Sequence, residues 1–243
     1  MTTLTESNPR HLRDLPFEVP PVKASQKSRA KRLHEALRDR YPDATCALQY
    51  KAPHELLIAT ILSAQTTDAN VNRATPALFK KFSSPEAFAG STPKKIEPYV
   101  KSLGFFRQKA KSVHSSMRDI VETFDGKVPR TMDELTSLRG VARKTANVVL
   151  GNAFDLNMGF VVDTHINRLS KRWGLAPEDA SVQIVERYLC VLFPREDWSR
   201  TGHRFIEHGR AICKARGNTC DQDPFCKTFC VEGGARVTSS WVR

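Results

Sequence analysis

The feature that most constrains the fold is a glycine between two helical patterns, inside the stretch from Leu138 to Asp163. The first pattern opens with Thr131 and has Glu134 three residues later, which is the spacing of a helical capping box. After Gly140, largely apolar positions recur at the spacing of one face of a second helix. We therefore predict two helices joined by a tight hairpin. The second helix begins with unpaired backbone N–H groups at a positive dipole end, and such an end binds phosphate without reading bases.

Two residues near this hairpin have side chains suited to catalysis. Lys144 lies in the first turn of the second helix, and a neutral lysine amine is a nucleophile for a sugar or carbonyl carbon. Asp163 follows nineteen residues later at the start of another helical pattern, where its carboxylate suits proton transfer or electrostatic stabilisation. Each residue also has a purely structural interpretation, because a first-turn lysine is commonly solvated and an aspartate before Thr-His-Ile is commonly an N-cap.

The charge of the chain indicates a polyanionic partner. The 243 residues carry a net charge of +12, and the pI is about 9.6. Nucleic acid is the commonest partner of such a chain, and a generically basic protein is the alternative. Because the sequence has neither a run of eighteen apolar residues nor an apolar N-terminal segment, we expect no membrane span and no secretory signal. We therefore expect a cytoplasmic protein, associated with a bacterial nucleoid.

The helical patterns predict an all-α fold. Residues 1–27 contain four prolines and scattered charges, so we predict a flexible N-terminal arm. A basic amphipathic helix is expected over 28–41, and an almost wholly apolar, buried central helix over 55–65. The remaining patterns bring the total to about ten helices with short loops, and no segment alternates with the period of a strand.

Four of the six cysteines crowd into the C-terminal part of the chain. Their spacing is Cys-x6-Cys-x5-Cys-x3-Cys, and they are Cys213, Cys220, Cys226 and Cys230. Such clustering in an intracellular chain indicates a metal site rather than disulfides, and four thiolates suit a [4Fe–4S] cluster or a tetrahedral zinc ion. Cys46 and Cys190 stand alone in apolar contexts, where we expect buried packing.

The hairpin sequence Leu-Arg-Gly-Val-Ala-Arg-Lys-Thr-Ala-Asn, followed by Val-Asp-Thr-His, resembles the helix-hairpin-helix and catalytic aspartate of the endonuclease III family of DNA glycosylases. The resemblance implies that Lys144 and Asp163 are catalytic. The family's hairpin usually reads Leu-Pro-Gly-Val-Gly, so Arg139 and Ala142 are departures. Arg139 adds a cation where phosphate should lie. An alanine at 142 would cost about 1 kcal/mol if that position requires a left-handed backbone.

Two further motifs resemble DNA-probing segments of that family. Leu-Ser-Ala-Gln-Thr-Thr-Asp at 62–68 supplies Ser63, Gln65 and Asp68, which could hydrogen-bond an extruded base or fill the gap that it leaves. The structural alternative is a helix end followed by an Asp68 N-cap. Ser-Leu-Gly-Phe-Phe at 102–106 resembles a wedge loop, in which Phe105 inserts between bases, whereas a buried phenylalanine is the alternative. Basic residues follow at 107, 109 and 111, either as phosphate partners or as a solvated face.

The resemblance also implies a set of binding residues. The substrate pocket would include Ser63 and Asp68, and the DNA-contacting set comprises Gln65, Phe105, Arg139, Gly140, Ala142, Arg143 and His165. For His165, a structural role is the alternative.

The resemblance favours iron–sulfur over zinc, but the family's cysteine spacing is Cys-x6-Cys-x2-Cys-x5-Cys. Its third and fourth positions fall on Asp223 and Phe229, so the ligand loop must be re-routed through Cys226 and Cys230.

The resemblance covers roughly residues 30–232 and implies two helical domains. A six-helix domain containing the helix-hairpin-helix would span 46–157. A discontinuous iron–sulfur cluster domain would combine 28–45 with 158–243. The implied protein is a monomer that binds double-stranded DNA carrying a damaged base or an abasic site. It removes oxidised pyrimidines through a lysine Schiff base and nicks the strand by β-elimination.

Two alternative functions remain open at the level of sequence. One is a glycosylase of the same superfamily that removes adenine opposite oxidised guanine; that branch lacks the lysine nucleophile, so Lys144 argues against it. The other is a DNA-binding protein without catalytic activity that retains the hairpin. Borohydride trapping distinguishes this last alternative from a lyase, because a protein that only binds DNA forms no covalent complex.

Overall fold

A computed structural model describes residues 6–216 and 220–231 of the chain. Every regular element in these residues is helical, which confirms the all-α prediction. The α-helices of the described residues are α1 (Ala24–Arg40), α2 (Pro53–Leu62), α3 (Asp68–Lys81), α4 (Pro85–Ala89), α5 (Pro93–Val100), α6 (Phe106–Thr123), α7 (Met132–Ser137), α8 (Arg143–Ala153), α9 (Thr164–Arg172), α10 (Val182–Leu192), α11 (Trp198–Ala211) and α12 (Pro224–Phe229). Short 3-10 turns lie at Arg10–Leu12, Lys101–Leu103 and Arg195–Asp197. None of the described helices is long and apolar enough to cross a membrane.

The chain divides into two compact units. Residues 46–156 form one, which we call the central unit, and the segments on either side of it form the other, which we call the terminal unit. The central unit contains α2 to α8, and the terminal unit contains α1 and α9 to α12. Each unit has its own buried side chains, so each can be described by itself.

The core of the central unit is built around α2. Pro53 occupies the first turn, where its missing N–H costs no hydrogen bond, and all seven residues 56–62 are buried. This helix packs against α3, α6 and α8, while α4 and α5 pack on α6. A helix that is apolar on every face must be covered on every face, and the prediction of a buried central helix is confirmed.

The helix after α2 begins differently from the expectation. Thr67 is the N-cap of α3, and its hydroxyl accepts a hydrogen bond from the backbone N–H of Asn70 (3.4 Å). Asp68 is therefore the first helical residue, and the N-cap interpretation of Asp68 is wrong. Its carboxylate still lies at the positive end of the helix dipole, where a negative charge is stabilising.

The terminal unit has an aromatic core. Leu33 and Leu37 of α1 are fully buried, as their spacing predicts, and they belong to one cluster with Trp173 and Phe205. Within the unit, α1 packs against α10 and α11, and α9 packs against α10 and α11. Of the two isolated cysteines, Cys190 is buried in this core, as expected, whereas Cys46 of the central unit is only partly buried.

A partly buried ion pair network joins three segments of the terminal unit. Asp197 accepts hydrogen bonds from His34 Nε2 (2.6 Å) and from Arg204 Nη1 (2.7 Å). Burial acts to raise the pKa of Asp197, but the hydrogen bonds from Arg204 and His34 outweigh it and lower that pKa below its ordinary value. The network thus stabilises the terminal unit through a charged carboxylate.

The segment before α1 is packed, so the prediction of a flexible arm is wrong for residues 6–23. Leu12 and Leu15 are fully buried in the core of the terminal unit. Asn8 Nδ2 donates to the carbonyl of Phe17 (2.8 Å), which closes a compact turn. The segment therefore contributes to the core, although its composition is dominated by prolines and charges. Residues 1–5 lie outside the described part of the chain.

Candidate functional site

The hairpin between α7 and α8 requires glycine at its centre. Gly140 has φ +82°, a left-handed conformation, and a Cβ atom there would lie 2.9 Å from Cβ of Ser112 in α6. Ser116, also on α6, donates its hydroxyl to the carbonyl of Arg139 (2.7 Å). The N-cap role of Thr131 before α7 is confirmed, because its hydroxyl accepts the N–H of Glu134. The hairpin conformation is thus set both locally and by α6.

The departure at Ala142 is accommodated without strain. Ala142 is the N-cap residue of α8, with φ −87° and ψ 167°, so its backbone is extended rather than left-handed. The cost of a left-handed alanine therefore does not arise. No side chain caps α8, and Arg139 and Ala142 are both exposed. The first turn of α8 therefore begins without a side-chain cap from its N-cap residue, and phosphate binding there stays a prediction.

The two candidate catalytic residues each lie at the start of a helix. Lys144 is exposed in the first turn of α8, within the central unit. Asp163 is the N-cap of α9, within the terminal unit, and its Oδ1 accepts the backbone N–H of Ile166 (2.7 Å). Within the described residues, no hydrogen bond occupies Oδ2 of Asp163. Its capping role is therefore compatible with catalysis, because one carboxylate oxygen fixes the group and the other is open.

His165 is held by the residues around it. Burial lowers its pKa, and the positive charges of Arg168 and Arg210 act in the same direction, whereas Asp163 opposes them. Arg168 Nη2 lies 3.2 Å from His165 Nδ1 and also donates to the carbonyl of Cys213 (2.8 Å). Because a guanidinium only donates hydrogen bonds, Nδ1 is the acceptor and Nε2 carries the proton of the neutral ring.

The two predicted DNA-probing segments of the central unit form exposed turns. Gln65 is exposed with φ +54°, and Ser63 is partly buried with its hydroxyl donating to the carbonyl of Thr60 (2.8 Å). Phe105 is 70% exposed with φ +44° and directly precedes α6. The buried alternative is therefore wrong for Phe105, while its insertion into DNA stays a prediction. Lys109 is buried, so it belongs neither to a solvated face nor to the exposed phosphate partners.

Three of the four clustered cysteines are close together in space. The sulfur atoms of Cys213, Cys220 and Cys226 all lie within 4.8 Å of one another, and such a group could hold a metal ion. Cys230 is not a member of this mutually close set in the described residues. Its thiol is nevertheless near enough to act electrostatically on the pKa of Cys220. The donor set is rich in sulfur, which suits zinc or iron–sulfur.

Two nitrogen donors face the cysteine sulfurs. Arg172 Nη1 donates to Cys213 Sγ (3.1 Å), and His208 Nε2 lies 3.2 Å from Cys226 Sγ. Burial raises the pKa of the Cys226 thiol, and burial raises that of Cys220 to about 11. Burial also lowers the pKa of His208 to about 4, so its ring is neutral. Metal binding must therefore displace thiol protons, and N–H donors stabilise the thiolates that result.

Asp223 explains how the altered spacing is accommodated. It is the N-cap of α12, where it accepts the N–H of Cys226 (2.9 Å), and it forms an ion pair with Arg40 (2.5 Å). Asp223 therefore has a structural role at the position where the family's spacing places a cysteine. The turn that it caps brings Cys226 next to Cys213 and Cys220.

Sequence reasoning missed two buried polar residues near these segments. Lys109 and His208 are both buried, and both contact residues distant in the chain. The only sequence signal for His208 is its place five residues before Cys213 on the same helical pattern. Nothing in the sequence distinguishes Lys109 from its exposed basic neighbours.

The sequence of this chain is similar to proteins that act on DNA. A family model described as HhH-GPD superfamily base excision DNA repair protein matches residues 58–195. Endonuclease III of Synechocystis sp. is 49% identical over 199 residues, which cover 82% of this chain and 90% of that protein. Endonuclease III of Escherichia coli K12 is 39% identical over 195 residues, 79% of this chain and 92% of that protein.

Solved structures show the same similarity. A trapped endonuclease III–DNA covalent intermediate, an estranged-adenine complex, matches with a TM-score of 0.79 and 40% identity, over 85% of this chain and 96% of that one. A non-covalent endonuclease III–DNA complex matches with a TM-score of 0.80 over the same shares of the two chains. A thermostable thymine-DNA glycosylase shares the fold at 19% identity, with a TM-score of 0.71.

Proposed function

This chain belongs to the endonuclease III family of the HhH-GPD superfamily of base excision DNA repair proteins, and we propose that it acts on double-stranded DNA carrying oxidised pyrimidines or abasic sites. It is a base excision repair glycosylase with AP lyase activity. The observation that carries the proposal for its chemistry is the exposed Lys144 amine, one residue into an uncapped helix that directly follows a glycine hairpin.

The proposed reaction begins with Lys144 as nucleophile. The damaged nucleotide leaves the base stack, because its sugar carbon cannot be reached inside a duplex. Nζ of Lys144 then attacks C1′; the N–C1′ bond forms as the glycosidic bond breaks, and the base leaves with a proton. The nitrogen lone pair then breaks the C1′–O4′ bond, O4′ takes up a proton, and the opened sugar is joined to Lys144 as a protonated Schiff base. A proton then leaves C2′ and the C3′–O3′ bond breaks, which cuts the strand by β-elimination.

Asp163 is the proposed electrostatic and proton-transfer partner. Positive charge develops on the sugar as the base departs, and a carboxylate held in place stabilises that charge without reorganising. The hydrogen bond from Ile166 N–H to Oδ1 supports this role, because it fixes the carboxylate while Oδ2 stays open. His165 lies two residues later, and its proposed role is to contact the DNA.

The proposed DNA contacts fall into two classes. The hairpin residues Arg139, Gly140, Ala142 and Arg143 bind backbone phosphate through N–H groups and positive charge, which gives affinity without sequence preference. Gln65 and Phe105 fill the space around the extruded nucleotide, and Ser63 and Asp68 line the pocket for the base. The exposure of Gln65 and Phe105 supports the second class.

The four clustered cysteines are the proposed ligands of a [4Fe–4S] cluster, with zinc as the alternative. Support comes from the three mutually close sulfurs and from the N–H donors that Arg172 and His208 direct at two of them. Iron–sulfur clusters are held by four cysteine thiolates and tuned by such hydrogen bonds. When bound, the group supplies a cross-link among the thiolates and a centre able to exchange an electron. The proposed reaction steps at Lys144 and Asp163 do not use it.

Strand nicking by the Lys144→Gln variant tests the proposed chemistry. We expect binding to an abasic-site duplex to persist and β-elimination to be abolished, because the amide cannot form a Schiff base. Lys127→Gln is the matched control, since Lys127 is an exposed lysine of the same unit. Wild-type nicking by the purified Lys144→Gln protein would remove Lys144 from the mechanism.

A further inference from the structure

Four non-glycine residues of the described central unit have a left-handed backbone. Two of them, Gln65 and Phe105, lie in the predicted DNA-probing segments, and the other two are Asp125 and Asp155. Gln65 has φ +54° and Phe105 has φ +44°. Both lie in exposed turns, Gln65 three residues after the end of α2 and Phe105 directly before α6. A left-handed backbone is unfavourable for residues that carry a Cβ atom, and it persists only where the surrounding structure fixes it. Some contact must therefore hold these two turns.

One buried lysine joins the two turns. Lys109 is 6% exposed, and its Nζ donates to the carbonyl of Leu103 (2.6 Å) and to the hydroxyl of Thr66 (3.0 Å). The Thr66 hydroxyl donates in turn to the same Leu103 carbonyl (2.8 Å). Thr66 directly follows Gln65, and Leu103 lies two residues before Phe105. Three hydrogen bonds thus connect the turn at Gln65 with the turn at Phe105.

The charge of Lys109 is costly at this place. Its hydrogen-bond acceptors are neutral oxygens, and burial lowers the pKa of its ammonium below the ordinary value. A buried ammonium is disfavoured by desolvation, and an apolar side chain of similar length would avoid that cost. The ammonium group donates two directed hydrogen bonds, one to each turn, and an apolar side chain cannot make them.

We propose that Lys109 is a positioning residue that holds the Gln65 and Phe105 turns in one fixed geometry for engaging a lesion in DNA. The inference rests on the proposed DNA-probing roles of Gln65 and Phe105. Lys109 itself does not contact the DNA in this proposal. It orders the two turns before binding, so that the cost of fixing them is not incurred when the duplex arrives.

The direct test measures discrimination between damaged and intact DNA. The ratio of Kd values for an intact duplex and one with a tetrahydrofuran abasic analogue is determined for Lys109→Met. We expect this ratio to fall by about 5- to 150-fold, the range that corresponds to loss of one base-stacking contact. The salt dependence should not change, because Lys109 is buried and contacts no phosphate in this proposal. Lys127→Met, at an exposed lysine of the same unit, should keep the wild-type ratio.

Thr66 provides a second pair of variants that does not alter the charge. Thr66→Val removes the hydroxyl that both donates to Leu103 and accepts from Lys109, so we expect the same direction of loss as in Lys109→Met. Thr66→Ser retains the hydroxyl and should keep the wild-type ratio. If Lys109→Met does not fold, as judged by its melting temperature, this pair tests whether the hydrogen-bonded cluster of Lys109, Thr66 and Leu103 sets the ratio. A wild-type ratio in Thr66→Val would overturn the inference.

A double-mutant cycle with Phe105→Ala separates this inference from the proposed function. If Lys109 acts by positioning Phe105, then Phe105→Ala should cost much less in the Lys109→Met background than in the wild type. Additive effects, or an unchanged ratio in Lys109→Met, would overturn the positioning role while leaving the wedge role intact. If Phe105→Ala alone changes nothing, the wedge role fails, and the positioning role fails with it.

Discussion

At the scale of single residues, the site depends on side chains that have a structural partner and an open functional group. Asp163 shows this most clearly, because Oδ1 caps α9 through the Ile166 N–H while Oδ2 has no hydrogen bond from the described residues. A cap and a catalytic carboxylate are therefore not competing interpretations of this residue. In the proposed mechanism they use two different oxygen atoms of the carboxylate.

This division predicts how two substitutions of Asp163 differ. Asp163→Asn keeps an oxygen for the cap and removes the charge, so we expect a normal melting temperature and a loss of turnover of about 10²- to 10⁴-fold. Asp163→Ala should lose turnover and also about 1 kcal/mol of stability, because the cap is lost. Single-turnover base excision and urea unfolding measure the two effects. Wild-type turnover in Asp163→Asn would leave this residue as a cap only.

At the scale of elements, the hairpin and the cysteine loop each combine a local signal with support from a distant helix. Gly140 and the Thr131 cap could be predicted because they reflect local backbone rules. The contacts of Ser112 and Ser116 on α6 with the hairpin could not, because they depend on how helices pack. The same limit applies to Lys109, whose ammonium group contacts Thr66, 43 residues earlier in the chain, as well as the nearby carbonyl of Leu103.

Arg139 tests the hairpin as a phosphate-binding element. Each phosphate contact contributes a slope of about −0.9 to the log–log dependence of affinity on salt. We expect Arg139→Gln to weaken binding to intact and damaged duplexes alike, and to flatten that slope by about one unit. Fluorescence anisotropy over a salt series gives both quantities. A change confined to the damaged duplex would instead assign Arg139 to lesion recognition.

The family has its third cysteine ligand at the position of Asp223, and we predict that Cys226 replaces it. We expect the purified protein to be brown, and Cys226→Ser to lose the visible absorbance together with bound iron. Asp223→Asn should keep the iron, because Asp223 caps α12 and pairs with Arg40 rather than serving as a ligand. Metal analysis alongside absorbance distinguishes the alternatives. A colourless protein with one zinc ion per chain would contradict the iron–sulfur assignment.

At the scale of the whole molecule, the two units depend on different interactions. The central unit is organised by the apolar α2, which the sequence pattern predicts well because its hydrophobicity is continuous. The terminal unit gathers segments from both ends of the chain, including residues 6–23, whose buried Leu12 and Leu15 are hidden among prolines and charges. The composition of residues 6–23 predicts flexibility, but the burial of Leu12 and Leu15 in the core packs the segment against the rest of the unit.

The ion pair network of the terminal unit predicts how the free energy of unfolding falls as the pH becomes acidic. Because the folded-state pKa of Asp197 is lowered, its stabilising contribution is fully present above the unfolded-state pKa of about 4 and is lost as pH falls through the folded value. Asp197→Asn should therefore lower stability at pH 7 and reduce its pH dependence below about pH 4. Urea unfolding from pH 7 to pH 3 measures this. If the free energy of unfolding of Asp197→Asn depended on pH as in the wild type, other carboxylates would account for the loss of stability in acid.

The central claim, that Lys144 forms the covalent bond to DNA, is tested most directly by borohydride trapping followed by peptide mapping. The wild-type protein is incubated with an abasic-site duplex and reduced, and the cross-linked peptide is sequenced by mass spectrometry. We predict one reduced adduct on Nζ of Lys144, with the Lys127→Gln control trapped equally and Lys144→Gln not trapped. An adduct on another lysine, or no adduct while strand nicking proceeds, would contradict the claim.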